Sequence, residues 1–233
     1  MTTKIEWCDE TWNPITGCSS CSPGCDHCYA RQMAQRLKGR FGYPADDPFR
    51  VTFHEDQIER PFRWKKSRRI FVCSMGDLFH EEGHRDWPVA VWDTMFDCPQ
   101  HTFLVLTKRP LGLRWFATRM KEHLFRKVDY PNIHLGVTVC NQAEASAKIP
   151  ILLATPAAVR WVSIEPTLGT VDLAPYLPRL DWVVLGPENG PGARPMDLDW
   201  ARSVRDQCAE TGTPFFFKGG ALDGHEYHEF PEA

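Results

Sequence analysis

The chain has 233 residues, 42% of them hydrophobic and 24% charged, with a formal net charge of −3. That is an ordinary globular composition with enough apolar material for a sizeable core, and it excludes a protein that binds polyanions through bulk charge. No apolar signal segment opens the chain, and the longest apolar stretch, Ile149 to Val159, is broken by Pro150 and Pro156, so a soluble cytoplasmic protein is expected.

The first distinctive stretch is Cys18-Ser-Ser-Cys21-Ser-Pro-Gly-Cys25-Asp-His-Cys28-Tyr29, with four of the nine cysteines in eleven residues. An odd cysteine count without a secretion signal favours free thiols and metal ligation over a disulfide framework. Cys8, Cys73, Cys98, Cys140 and Cys208 are scattered and read as small buried hydrophobes. After the loop, Tyr29 to Lys38 carries strong helix formers, with Gly39 placed as a C-cap. Residues 41 to 69 are irregular, rich in Pro, Asp and Arg, with one short helix expected near Asp56 to Lys65.

From residue 70 the pattern changes. Ile70 to Ser74, Thr102 to Thr107, Ile133 to Val139, Arg160 to Ile164, Asp181 to Gly186 and Pro214 to Lys218 read as six strands. Helices are expected at Trp87 to Phe96, Leu111 to Phe125, Ala143 to Ala154 and Leu198 to Glu210, the rhythm of a parallel α/β sheet. Asp86, Asn141 with Glu144, and Asp197 or Asp199 mark helix starts, and Gly212 closes the last helix. Pro166 to Leu180 holds three prolines and permits only a short helix. Each strand is followed by a polar or Gly-rich end: Ser74 to Asp77, Thr107 to Arg109, Thr138 to Asn141, Glu165-Pro166, Pro187 to Gly190 and Lys218 to Gly220. In a parallel sheet or barrel such ends gather on one rim and form the active site. No internal repeat or domain boundary is evident, and residues 1–233 are read as one domain.

The cysteines admit two frames. Cys21-x3-Cys25-x2-Cys28 matches the three-cysteine pattern of radical S-adenosylmethionine enzymes, in which three thiolates leave one iron of a [4Fe-4S] cluster open for a ligand. As two Cys-x2-Cys pairs, Cys18/Cys21 and Cys25/Cys28 would close a structural zinc or cluster site, although the gap between the pairs is shorter than zinc sites usually show.

Trp12-Asn-Pro-Ile-Thr-Gly-Cys18, Ser22-Pro-Gly-Cys25-Asp-His-Cys28-Tyr-Ala30, Leu106-Thr-Lys-Arg-Pro110, Val162-Ser-Ile-Glu-Pro166, Gly190-Pro-Gly-Ala-Arg-Pro195 and Pro214-Phe-Phe-Phe-Lys218 together resemble a three-cysteine protein family of phages and prophages, related to the radical S-adenosylmethionine superfamily. The resemblance spans essentially the whole chain. In that family's pattern the first cysteine corresponds to Cys18, so Cys25 and Cys28 are shared by both frames and the third ligand is Cys18 or Cys21. The family's Gly-Gly-Glu-Ser-Gly is Gly186-Pro-Glu-Asn-Gly190 here, which keeps Glu188. The resemblance implies an open parallel (β/α)6 partial TIM barrel, with the cluster loop following a first strand at or near Lys4 to Trp7. It implies a cluster and S-adenosylmethionine as cofactors, an electron donor, and hydrogen abstraction by a 5′-deoxyadenosyl radical from a substrate the sequence does not name, with nucleic acid or a nucleotide the first guess. Ser74, Gly76 and Asp77 would take the methionine end of the cosubstrate, Asp77 accepting its ammonium. Lys108, Thr138, Glu165 and Glu188 would supply further contacts. The sequence does not reveal whether a protein partner is required.

Arg60-Pro-Phe-Arg-Trp-Lys-Lys-Ser-Arg-Arg69 holds six cations and two aromatics in ten residues. Arg60, Arg63, Lys65, Lys66, Arg68 and Arg69 could meet phosphates while Phe62 or Trp64 stacks on a base, and the plainer reading is a solvated helix end. The competing view of the whole protein is a noncatalytic, metal-stabilised nucleic-acid-binding protein using all four loop thiols structurally.

Overall fold

Runs such as Phe103 to Leu106 are apolar on both sides, which suits only a strand covered on both faces. The computed structural model describes residues 5–122 and 129–231. Its described elements are β1 (Glu10–Trp12), β2 (Ile15–Thr16), α1 (Tyr29–Leu37), β3 (Thr52–Phe53), β4 (Arg69–Val72), α2 (Trp87–Phe96), β5 (Thr102–Thr107), α3 (Pro110–Glu122), β6 (Ile133–Val139), α4 (Gln142–Leu153), β7 (Val159–Ile164), β8 (Trp182–Leu185), α5 (Leu198–Thr211) and β9 (Phe215–Phe217). Seven strands, in the order β1-β4-β5-β6-β7-β8-β9 and parallel throughout, form a curled open sheet, a half-barrel. β2 and β3 make a separate antiparallel pair.

All six expected runs form strands, and the sheet gains a seventh at its start. That first strand is Glu10–Trp12, where register with Ile70 to Val72 fixes it; Ile5 to Trp7 is not strand, and Lys4 lies outside the described residues. The expected Asp56 to Lys65 helix is instead two 3-10 turns, Glu55–Gln57 and Arg60–Arg63, because Pro61 lacks the N–H that a continuing helix would use. The third expected helix begins at Pro110, and its last expected residues, 123–125, lie outside the described ones. Asn141 and Asp197 cap α4 and α5 by accepting from the backbone of Glu144 and Asp199. Asp86 makes no cap bond; its carboxylate accepts from Arg119 instead, at 2.9 Å.

Alternation along the strands separates two apolar layers. Phe103, Val105, Leu135, Val137, Val162, Ile164, Val183 and Leu185 face helices α2 to α5 in the main core. On the inner face, Phe71, Leu104, Trp161, Trp182, Val184 and Phe216 form a second cluster, closed by Trp7, with Phe230 packed against it. Trp7 lies 5.4 Å from Trp161, and Trp161 lies 5.1 Å from Trp182, between ring centroids. Gly136 admits this stack, since a Cβ there would sit 2.5 Å from the Trp161 ring. Each fully buried large apolar side chain is worth roughly 1.5–3 kcal/mol, so this aromatic floor is a major contributor to stability. Further up the same face the side chains become Thr138, Ser163 and Lys218, a polar mouth above an aromatic floor. Among the described residues, no helix is long and apolar enough to cross a membrane.

Candidate functional site

The cysteine loop leaves β1 where two backbones touch. Asn13 Oδ1 accepts from Ser74 Oγ at 3.1 Å and from the Met75 N–H at 3.0 Å, lacing the ends of β1 and β4 together. Gly17, at φ +85°, then bridges Gly76. A Cβ on Gly17 would meet the Arg50 carbonyl oxygen at 2.1 Å, and one on Gly76 would meet the Gly17 oxygen at 2.9 Å, so this crossing tolerates no side chain. The loop next folds into a 3-10 turn, Pro23–Cys25, capped by Ser22 Oγ accepting from the Gly24 N–H at 3.1 Å. There Gly24 presses on the ends of β6 and β7: an added Cβ would lie 2.4 Å from Cys140 Sγ and 2.9 Å from Pro166 Cδ. The far side is clamped by Arg194, which donates to the Pro23 carbonyl at 2.9 Å and to Asp26 at 3.1 Å.

Beneath this arch is a cavity of about 460 Å³. Cys18, Cys25 and Cys28 line it, together with all seven residues expected to bind cofactor: Ser74, Gly76, Asp77, Lys108, Thr138, Glu165 and Glu188. Cys21 stands at the edge of the group, its thiol hydrogen-bonded to that of Cys25. It is exposed and faces a separate groove of about 640 Å³ between the 77–88 loop and helices α3 and α4. Asp77, Lys108 and Arg109 border both spaces. Among the described residues, no three His, Cys, Asp or Glu side chains are gathered around one point as a ligand set. The five scattered cysteines are all buried, as expected of them.

The polar groups of the cavity divide into engaged and free. Asp77 is 5% exposed and accepts from Thr107 Oγ1 at 2.7 and 2.9 Å, from the Lys108 N–H at 3.0 Å and from the Phe79 N–H at 3.1 Å. Its carboxylate therefore fixes the Thr107 to Arg109 turn at the edge of the cavity. Glu188 is similarly committed, accepting from Arg194 at its backbone N–H and Nε, both at 2.8 Å, and at Nη2, and pairing with His27 at 2.9 Å. Arg194 holds the Glu188 carboxyl far below its usual range, at about 2. Glu165 pairs with Lys218 and accepts from Ser163 at 3.1 Å. Lys108 is the contrast: among the described residues its ammonium makes no hydrogen bond or ion pair. Burial alone would depress it, but negative charge at Cys25, Cys140, Asp77 and Cys28 outweighs burial and raises its pKa.

The thiols are also unequal. A hydrogen bond from Cys21 lowers the Cys25 pKa to about 5, with Lys108 adding to the effect against the opposing influence of burial. The same bond, with burial, pushes Cys21 up. Burial, then Asp77, raises Cys18 to about 11 despite Arg109 beside it. Thiols with one thiolate favoured and cations to hand suit a soft metal or an iron–sulfur group, and the cavity leaves space beside them for a small-molecule ligand.

The basic segment lies elsewhere. Arg69 begins β4, so the segment meets the amino ends of the strands, opposite the cavity. Arg60 and Arg68 pair with Glu10 at 3.8 and 3.3 Å, and both guanidiniums flank Trp64. Arg69 pairs with Asp9 at 3.8 Å and covers Phe230. Trp64 is thereby occupied, leaving Phe62 exposed with Arg63, Lys65 and Lys66 around it.

His27, Arg109, Arg194 and Lys218 complete the site without having been singled out from sequence. Each sits within a quoted motif, but His27 and Glu188 are 161 residues apart, and only folding discloses such a pairing. Compared with known proteins, residues 2–229 match a family described as protein of unknown function (DUF5131). No curated protein matches the chain, and no solved structure matches it.

Proposed function

We propose that this chain, which belongs to the DUF5131 family, is a radical S-adenosylmethionine enzyme acting on an unidentified substrate. The observation that carries the reading is the convergence of three loop thiols and the ends of the parallel strands on one cavity floored by aromatic side chains. Cys18, Cys25 and Cys28 would hold an iron–sulfur cluster, because those three share the cavity while Cys21, hydrogen-bonded to Cys25 at the edge, borders the outer groove. Such a cluster, when bound, supplies the electron that cleaves S-adenosylmethionine to methionine and a 5′-deoxyadenosyl radical able to abstract hydrogen.

The chain's own residues have simpler tasks. Lys108, inside the cavity and without a partner among the described residues, offers a cation to a carboxylate or to the thiolate group. Gly76, pressed against the Gly17 backbone, holds the thiol loop at the cavity edge, and Thr138 supplies a hydroxyl at the end of β6. Glu165 and Lys218 form a paired acid and base at the ends of β7 and β9. The aromatic floor closes the space below and keeps water out of it.

The test is anaerobic reconstitution followed by iron and sulfide assay, then dithionite with S-adenosylmethionine. The reading predicts about four irons and four sulfides per chain and formation of 5′-deoxyadenosine. A colourless zinc protein that makes none would instead establish a metal-stabilised, noncatalytic role.

A further inference from the structure

We infer that Arg109 is a positioning residue for the cluster: it seats the Cys18 end of the thiol loop and sets the charge felt there. This rests on the reading that Cys18, Cys25 and Cys28 hold an iron–sulfur group. Arg109 follows β5 at the wall shared by the cavity and the outer groove, and is only 9% exposed. Its guanidinium is fully used. Nε donates to Glu81 at 2.6 Å, and Nη2 donates to the Ser19 carbonyl at 3.1 Å and the Ser19 hydroxyl at 2.8 Å. Those anchors fix the plane of the fork and aim Nη1 at sulfur, 3.3 Å from both Cys18 and Cys21. Asp77, 3.8 Å from Nη1, backs the same nitrogen. The Ser19 hydroxyl is itself held by His80 at 2.8 Å, so the 18–21 segment is gripped from two sides.

An arginine needed only to neutralise Asp77 and Glu81 would have no reason to direct a nitrogen between two sulfurs. A cation donating to a thiolate ligand does two things to an attached cluster. It orients the ligand, and loss of such an outer partner typically costs about 10–100-fold in metal affinity. It also favours the reduced, more negative state, since hydrogen bonds and charge at the sulfurs set the reduction potential. Lysine keeps the charge but lacks the fork that spans Ser19, Glu81 and sulfur together.

The experiment compares wild-type, Arg109→Lys, Arg109→Gln and Ser19→Ala proteins after anaerobic reconstitution. Bound iron and sulfide are measured, and the midpoint potential is read by redox titration followed by electron paramagnetic resonance. Arg109→Gln should disfavour reduction about tenfold, a fall of ~59 mV for one electron, and should retain less iron. Arg109→Lys should lose iron but keep more of the potential. Ser19→Ala, which loosens the fork without changing charge, should shift the potential in the same direction by less, and it carries the test if Arg109→Gln does not fold. Variants matching the loaded wild type in both potential and iron content would overturn the inference while leaving the cluster reading intact. A wild-type chain that takes up no iron and sulfide would overturn the reading itself, and the inference with it.

Discussion

The cysteine loop and the basic segment are the two stretches densest in reactive or charged side chains, and they meet opposite ends of the same strands. The loop crosses the carboxyl ends, where Ser74, Lys108, Thr138, Glu165 and Lys218 converge from separate strands. The basic segment reaches the amino end of β4, where Glu10 and Asp9 partly neutralise it and Trp64 lies between two of its own guanidiniums. Composition makes the two look equally functional. Strand direction separates them, because in a parallel sheet only the carboxyl ends open into a common crevice.

That contrast can be broken experimentally, beginning where the effect should be largest. Cys25→Ala and Cys28→Ala should each abolish retention of iron and sulfide, exceeding the roughly 10–100-fold that loss of an outer partner costs; iron assay after reconstitution and desalting reads this. Trp7→Ala removes the centre of the aromatic floor, 4.6 Å from Phe71 between ring centroids, and should destabilise the fold by roughly 3–5 kcal/mol in chemical denaturation. Gly24→Ala tests the pressure of the loop on β6 and β7: its Cβ would overlap Cys140 Sγ, and a cost of about 1–3 kcal/mol is expected.

Glu188 gives a smaller, pH-dependent effect. Its carboxyl falls from 4.5 to about 2 in the folded protein, chiefly through Arg194, so the charged form is the one folding favours. The stabilisation is present above pH 4.5 and is lost as pH falls through about 2. Glu188→Gln should flatten the stability profile across that window in thermal melts. Smallest of all should be the combined Arg63→Gln, Lys65→Gln and Lys66→Gln variant. It should change stability by no more than about 0.5 kcal/mol and leave iron content unaltered. If the protein binds nucleic acid there, the slope of log affinity against log salt should become shallower by about 0.9 for each phosphate of duplex DNA that is no longer neutralised. A loss of cluster in this variant would erase the distinction between the two regions.

Much of this was legible before folding, for identifiable reasons. Runs such as Phe103 to Leu106 are apolar throughout and bounded by polar residues, so all six strands from residue 70 onward fall where periodicity puts them. The polar strand ends could be read as one rim because a parallel sheet must bring them together. The first strand, expected at or near Lys4 to Trp7, lies a few residues later, hidden because Glu10–Trp12 is three residues long and contains a glutamate, whose burial is offset by Arg60 and Arg68 from a distant segment. Which strand-end groups are free was equally hidden. Asp77 and Lys108 look alike as polar residues after strands, yet the first is engaged by Thr107 and neighbouring backbone while the second has no partner among the described residues. Cys18 and Cys21 also look alike in sequence, and folding distinguishes them by surroundings: Cys18 lines the cavity and Cys21 the outer groove, with Arg109 Nη1 3.3 Å from both.

The most direct test of an open, three-thiolate site at the rim is to replace Cys18 and Cys21 separately with Ala and measure iron and sulfide retained per chain after anaerobic reconstitution. An open site held by Cys18, Cys25 and Cys28 requires that Cys18→Ala loses the cluster while Cys21→Ala keeps it; the reverse pattern would make Cys21 the third ligand. Equal loss from both would contradict that arrangement and indicate a site closed by all four thiols.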